Sequence, residues 1–354
     1  MRRGIRGKKF MKSNIFGLDI GTTTIKVVSL EHENNIFTYS SALMTPTPVQ
    51  GLQSESPFDH QEMAQVINKL VIDAKITTNN VAIALPENHA FTKVIEMPVL
   101  SDKELANAIY WEAEQYIPVP IDSVTLAWSK LRTVKGALPE EKMQVLLVAA
   151  PKDLIKRYQM ILDLAGLTIV SIETEILAII RSLLSTKNMP SSLIIHAGAL
   201  STTLGIIQNG ILVFNYSVPL GGIALTRAIA SDFGLQPEQA EEYKRAYGLS
   251  DKNFGGKVGK AIEPILVSLL TEVRKAMTFY SEKYKSDSPI SQILLTGGSA
   301  SLPGLPVYFA QNLGVESVLA NPWKTLNIQK VPQQIETIGP EYSVAIGLAL
   351  KEYE

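Results

Sequence analysis

Four short segments of this chain have the composition of a nucleotide site. The first lies in "IFGLDIGTTTIKVVSL", residues 15–30, where Asp19, Gly21, Thr22, Thr23, Thr24 and Lys26 fall in and beside a turn between two strand-forming runs. Glycine lets a ligand approach the main chain, amides and hydroxyls donate to phosphate oxygens, and Lys26 adds positive charge. Asp19, at a strand end, suits Mg2+ held through water, because this cation keeps much of its hydration and needs few carboxylates. A plain hairpin with a polar turn has the same composition, and the segment alone does not separate the two readings.

The second segment, "HAGALSTT", supplies Gly198, Ala199, Ser201 and Thr202, followed by a glycine pair that includes Gly222. The third, "LLTGGSASLPGL", sets Gly297, Gly298 and Ser299 after a strand, where a flat base can lie on the main chain; a generic strand-to-helix turn reads the same way. The fourth, "AEEYKRAYGL", carries Glu241, Glu242 and Lys244 on one helix. They would reach a ribose or purine edge, or form a solvated charged face. All four in this order are far less expected by chance than any one of them.

The elements that must hold these residues show an internal repeat. "IFGLDIGTTTIKVVSLEHENNIFTYS" and "SLIIHAGALSTTLGIIQNGILVFNYS" each read strand, Gly/Thr turn, strand, tight turn, strand, with Asn34-Asn35 and Asn209-Gly210 as the tight-turn pairs. Asp19 and Gly21 align with His196 and Gly198. A repeat this widely spaced implies two related halves facing one another. Between the hairpins, Gln61–Ala74 reads as a helix and "NVAIALP" as a buried strand. From His89 the order becomes strand, helix, two strands near Val124–Leu131 and Gln144–Val148, and a helix with Pro151 at its first turn and Gly166 past its end. Ser101 and Glu104 have capping-box spacing, Leu105, Ile109, Ala113 and Ile117 line one helix face, and Pro118 and Pro120 stop it. This is a small module inserted in the first half. The second half has its own helical insert, including a long amphipathic helix from Glu263 to Tyr284. "KVPQQIETIGP" reads as a surface loop and "YSVAIGLALK" as a last short helix.

Composition limits the partners. A formal net charge of −1 over 354 residues gives no basis for nucleic-acid binding. The one basic cluster, Arg2, Arg3, Arg6, Lys8, Lys9 and Lys12, lacks the apolar core of a secretory signal and reads as a solvated, disordered tail. No window approaches the ~20 apolar residues of a membrane span. The chain has no cysteine, which excludes disulfides, thiolate zinc sites and a cysteine nucleophile. A cytoplasmic location is expected.

"GLDIGTTTIKVV", the glycine pair after the second hairpin, "AEEYKRAYGL" and "LLTGGSASLPGL" resemble the phosphate and adenosine motifs of the actin and sugar-kinase superfamily. "YWEAEQYIPVPIDSV", placed in an inserted module, narrows the resemblance to the PilM family of type IV pilus assembly, actin-like proteins related to the division protein FtsA. The resemblance implies an α/β, actin-like two-lobed fold: duplicated ribonuclease-H-like cores with a small α/β module inserted in the first lobe. It implies ATP and Mg2+ in the cleft, bound by the residues named above. It also implies a partner, the N-terminal cytoplasmic tail of the inner-membrane pilus protein PilN, with other pilus platform or motor proteins further candidates. The chain would then sit at the inner face of the cytoplasmic membrane through that partner. Trp111, Tyr116 and Ile117 would either face the partner groove or pack within the module. The expected divisions are a tail at 1–13, a first core at 14–88 plus 168–190, the module at 89–167, a second core at 191–220 plus 289–354, and a second-lobe insert at 221–288.

One position departs from the family. The second phosphate loop of such proteins usually opens with an aspartate that helps organise the metal and the attacking water, and here His196 stands in its place. Histidine suits Mg2+ poorly. Glu173, in "IVSIETEIL", is where relatives orient that water, or else it is a helix-start carboxylate. The expectation is an ATP binder with at most weak ATPase activity. The alternatives are a slow ATPase or small-molecule kinase of the same superfamily, and a nucleotide-free scaffold.

Overall fold

The computed structural model describes residues 11, 12, 14–135, 141–184, 190–250, 255–284 and 288–353. The chain opens with β1 (Met11–Lys12), β2 (Phe16–Ile20), β3 (Thr24–Glu33), β4 (Ile36–Pro46), α1 (Pro57–Asp73) and β5 (Asn80–Leu85). The inserted module follows as β6 (Phe91–Pro98), α2 (Asp102–Glu114), β7 (Val124–Lys135) and β8 (Glu141–Pro151). The chain returns through α3 (Lys152–Leu164), β9 (Thr168–Thr174) and α4 (Glu175–Leu183). The second lobe comprises β10 (Ser192–Ala197), β11 (Thr202–Gln208), β12 (Ile211–Val218), α5 (Gly222–Phe233), α6 (Pro237–Tyr247), α7 (Lys257–Tyr284), β13 (Gln292–Thr296), α8 (Leu305–Leu313) and β14 (Glu316–Leu319). Last come α9 (Pro322–Thr325), α10 (Gln333–Thr337) and α11 (Ser343–Ala349).

The repeat read in the sequence is a repeat of topology. One sheet runs β4-β3-β2-β5-β9 and the other β12-β11-β10-β13-β14. In each, a three-strand antiparallel meander is followed by two strands added in parallel. The tight turns are those expected: Asn34 (φ 51°), Asn35 (φ 62°), Asn209 (φ 53°) and Gly210 (φ 76°) all take the left-handed conformation that such hairpins require. The module is a three-stranded sheet, β6-β8-β7, covered by α2. Ser101 and Glu104 cap that helix reciprocally, and Leu105, Ile109, Ala113 and Ile117 point into its core. Trp111 faces outward and is 71% exposed, whereas the Tyr116 ring lies under Lys93 Nζ at 4.3 Å.

Several expected boundaries move. The module ends at Pro151, because Tyr158, Ile161 and Leu162 of α3 pack into the first lobe's core beside α1. The tail expected at 1–13 lies mostly outside the described residues, but Met11–Lys12 pairs with Glu31–His32 of β3. Helix α7 starts at Lys257 and carries Pro264 inside it. The expected loop at 330–340 contains α10, followed by a 3-10 turn over Gly339–Tyr342. The largest change concerns the second core, expected to take in everything to residue 354: Trp323 meets Tyr39 edge-on, and α11 packs against β2, β3 and α4 of the first lobe.

Helices α4 and α11 lie between the two sheets, where Ile176, Ile179, Val344 and Leu348 meet Ala82 and Ala84 on one side and Ile194 and Leu294 on the other. Two glycines set this distance. A Cβ on Gly17 of β2 would stand 2.0 Å from Ala345 O, and one on Gly347 of α11 would stand 1.8 Å from Ala178 O. Both neighbours are backbone and cannot step aside singly. Gly347→Ala is therefore expected to lose about 2–3 kcal/mol of stability, the upper range for overpacking, read as a lower urea midpoint with an unchanged slope. A midpoint equal to wild type would show that α11 does not seat this closely.

Candidate functional site

The two Gly/Thr turns have one construction. Gly21 N–H donates to Thr24 O at 3.1 Å, and Gly198 N–H donates to Ser201 O at 3.0 Å. A Cβ at either glycine would approach that same carbonyl oxygen to 2.9 Å. Each turn is held from behind by a later segment. The Thr47 hydroxyl donates to Gly21 O at 2.7 Å and its N–H to Thr23 O; Gly222 N–H donates to Gly198 O at 2.9 Å and Ile223 N–H to Ala199 O. Thr22, Thr23, Thr24, Ala199 and Ser201 line the walls of an interlobe cleft of about 960 Å³.

Behind the first turn, Asp19 and Lys26 are cross-strand partners in an almost buried ion pair, Nζ to Oδ2 3.2 Å. The matching pair in the second lobe is His196 opposite Thr203, so a carboxylate and an ammonium give way to two uncharged groups. Burial pulls the His196 pKa down to about 4, against a smaller upward pull from Asp19, so the imidazole is neutral at pH 7. Its Nδ1 is buried without a hydrogen-bond partner.

The far wall is built on close approach. A Cβ on Gly222, at the start of α5, would fall 2.2 Å from Ser299 Oγ, which donates to Gly198 O at 3.0 Å. Gly297 holds φ 91°, open to glycine alone, and Gly298 follows it into the cleft. On α6, Lys244 Nζ donates to Gly222 O (3.1 Å), Thr226 Oγ1 (2.9 Å) and Glu241 Oε2 (2.6 Å). Burial would raise the Glu241 pKa, but bonds from Lys244, Thr226 and Arg245 outweigh it and hold the carboxyl at about 2. Glu241 and Lys244 thus reach the cleft as a fixed, charged pair, as Asp19 and Lys26 do. The Asp19 carboxylate beside the first turn fits a hydrated Mg2+ and not a dry metal cage; no cluster of three or more His, Asp or Glu ligands occurs among the described residues.

Three of the residues expected in the site lie outside it, and one of them, Glu242, is exposed on α6 away from the cleft lining. Thr202 heads β11 with its side chain turned away from the cleft: its hydroxyl donates to Leu220 O at 2.6 Å beside a small apolar pocket with Leu225 and Phe309. Glu173 is buried under the cleft, gripped by both guanidinium nitrogens of Arg181 and approached by Lys351 at 3.6 Å. It is neither a cleft residue nor the helix start. The glutamate of this segment that lines the cleft is Glu175, the first residue of α4. The turn from strand to helix explains the displacement: Glu173 is still within β9, paired with Ala84, whereas the chain leaves the strand at Thr174 and Glu175 opens α4. The "ETE" triplet was the available signal, and the strand-to-helix boundary within it decides which glutamate turns inward. Sequence reasoning also missed Tyr158, whose buried hydroxyl lacks a partner, and Glu341 beside Gly298.

Comparison with known proteins agrees with this architecture over the whole chain. The family model of type IV pilus assembly protein PilM matches residues 17–353. A solved structure, the PilM-PilN type IV pilus biogenesis complex, aligns with TM-score 0.82 and 30% identity over 96% of this chain and 99% of that one. The cell division protein FtsA of Streptococcus pneumoniae is 23% identical over 94% of this chain and 79% of its own length. MreB5 of Spiroplasma citri, solved bound to ADP, shares the fold with TM-score 0.53 and 14% identity, over 96% of each chain. The fold is thus the two-lobed actin-like α/β fold.

Burial first, then the charges of Asp19 and Glu87, raise the Glu175 pKa to about 8 from its ordinary 4.5. Between these values the folded chain holds a proton that the unfolded chain has released, so this contribution to stability is complete below about pH 4.5 and is lost as pH rises through about 8. Glu175→Gln, neutral throughout, should flatten the pH dependence of the melting temperature across that window in nucleotide-free protein. Parallel curves for the two proteins would contradict the assignment.

Proposed function

The chain belongs to the family of the type IV pilus assembly protein PilM, and from that premise we propose that it is an adaptor: it binds an adenine nucleotide between its lobes and, through its inserted module and the adjoining core, the N-terminal cytoplasmic tail of a PilN-type membrane protein. The carrying observation is the pair of identically built turns, Gly21–Thr24 and Gly198–Ser201, on opposite walls of one cleft. Such turns present amides and hydroxyls to phosphates from both lobes, so a nucleotide stabilises the arrangement in which both reach it. Mg2+ held through water by Asp19 would release Lys26 from its ion pair toward a phosphate oxygen. Gly297, Gly298 and Ser299 would floor the base, with Glu241 and Lys244 at the ribose or purine edge.

The tail-binding half rests on the likeness to the PilM-PilN complex along nearly the full length of both chains. No helix among the described residues is long and apolar enough to cross a membrane, so attachment at the inner face of the cytoplasmic membrane would come through the partner.

Turnover should be very slow. Phosphoryl transfer depends on positioned charge around the metal and the attacking water. The second lobe offers a neutral His196 where a carboxylate would contribute, and Glu175 keeps its proton up to about pH 8, which leaves Asp19 as the charge facing the metal. Calorimetry with Mg-ATP and Mg-ADP tests the first half: heat of binding is expected in the micromolar to millimolar range, and none at millimolar nucleotide would overturn the reading. Wild-type ATPase activity is expected near background, and His196→Asp should raise it by roughly a hundredfold, about what one transition-state contact contributes. Brisk wild-type hydrolysis left unchanged by His196→Asp would refute the role given to this position.

A further inference from the structure

A buried carboxylate that the nucleotide reading does not use sits where both lobes and the module meet. Glu87 follows β5 and is 6% exposed. Its Oε1 accepts from Ile176 N–H, in the first turn of α4, at 3.3 Å. Its Oε2 accepts from Asn215 Nδ2, on β12 of the second lobe, at 3.1 Å. Beside it Thr92 Oγ1, on β6 of the module, donates to Thr174 Oγ1, at the end of β9, at 3.4 Å, and both hydroxyls offset part of the rise that burial gives the Glu87 pKa. The Glu87 backbone amide in turn faces the Glu175 carboxyl and offsets part of the rise that burial gives its pKa. The side chain of one segment thus caps the helix start of the other, at the residue next to the side chain that enters the cleft.

Strands β6 and β12 pack against one another, so the Thr92 and Asn215 arms come from neighbouring strands of different bodies. A buried carboxylate is costly unless its bonds are all made, and an apolar contact would join these segments without that cost. What the carboxylate adds is direction, since each arm fixes one oxygen relative to one segment.

We infer that Glu87 is a positioning residue that ties the placement of Glu175 to the stance of the inserted module and the second lobe. A partner that shifts the module, or a nucleotide that draws the lobes together, then meets the same joint. The ligand side of this inference rests on the nucleotide reading above, while the joint itself does not.

The test uses the full chain and three variants: Asn215→Leu removes the second-lobe arm, Thr92→Val removes the module arm, and Glu87→Gln keeps the shape while removing the carboxylate. Amide hydrogen exchange at Ile176 and Leu177 should speed up about tenfold or more in Asn215→Leu, whose side chain does not bond to α4, and in Thr92→Val, whose lost partner is the N-cap residue Thr174, while amides of Ile194 and Leu204 in the β10–β11 pair keep their rates. Mg-ATP affinity should fall about fivefold in each, and Glu87→Gln/Asn215→Leu should bind no more weakly than Glu87→Gln alone, the non-additivity expected of one joint. Unchanged exchange at Ile176, or an equal rise at Ile194 and Leu204, overturns the inference. So does faster exchange with wild-type Mg-ATP affinity. If the wild type takes up no Mg-ATP, the nucleotide reading falls and the exchange rates still decide whether the joint exists.

Discussion

A glycine amide donating to a carbonyl three residues further on, at Gly21 and again at Gly198, is the interaction around which both lobes are arranged. Each bond closes a turn too tight for a Cβ and leaves the next residues at the edge of the cleft. The turns are useful only at a fixed separation, and neither lobe sets that separation alone. Helices α4 and α11 do so, buried between the two sheets and brought into backbone contact by Gly17 and Gly347. Packing at this density has little compliance. The cleft is therefore a property of the interlobe core as much as of the loops that line it.

Duplication makes the differences between the halves informative. Strand order, turn bond and rear support all recur, down to Thr47 bracing Gly21 as Gly222 braces Gly198. Charge does not recur. The first lobe keeps Asp19 and Lys26 in register; the second has His196 and Thr203 at the matching positions, with the imidazole neutral through burial. The backbone geometry for gripping phosphate is thus present twice and the electrostatics for activating it once. Binding and turnover are separable in such a design, because amide and hydroxyl donors act on the ground state while the missing carboxylate would act on the transition state.

Much of this was legible in the sequence because it is local. Asn34-Asn35 and Asn209-Gly210 specify their turns within two residues, and Ser101 and Glu104 cap α2 within one helical turn. The glycines and threonines of the cleft sit beside the strands that aim them. What was not legible depends on partners far along the chain. Helix α3 joins the first lobe because Tyr158, Ile161 and Leu162 find Met63 and Ile67, and no periodicity names that partner. The choice between Glu173 and Glu175 turns on where β9 ends and α4 begins, a boundary set by pairing with β5 that leaves no mark in the alternation of residue types. Thr202 fails for a simpler reason: it begins a strand, and the direction of its side chain is fixed by the register with β12.

The return of α11 to the first lobe affects how the molecule can be made. Val28 and Leu30 of β3 are buried against Tyr342, Ala345 and Ile346, and Asn14 N–H is bonded to Glu352, 338 positions away. During synthesis, the sheet that emerges from the ribosome first keeps an open apolar face until almost all of the second lobe has followed it. Contacts of such long sequence separation form late and slowly, so the nascent N-terminal half is the stretch most in need of chaperone cover while translation is still under way.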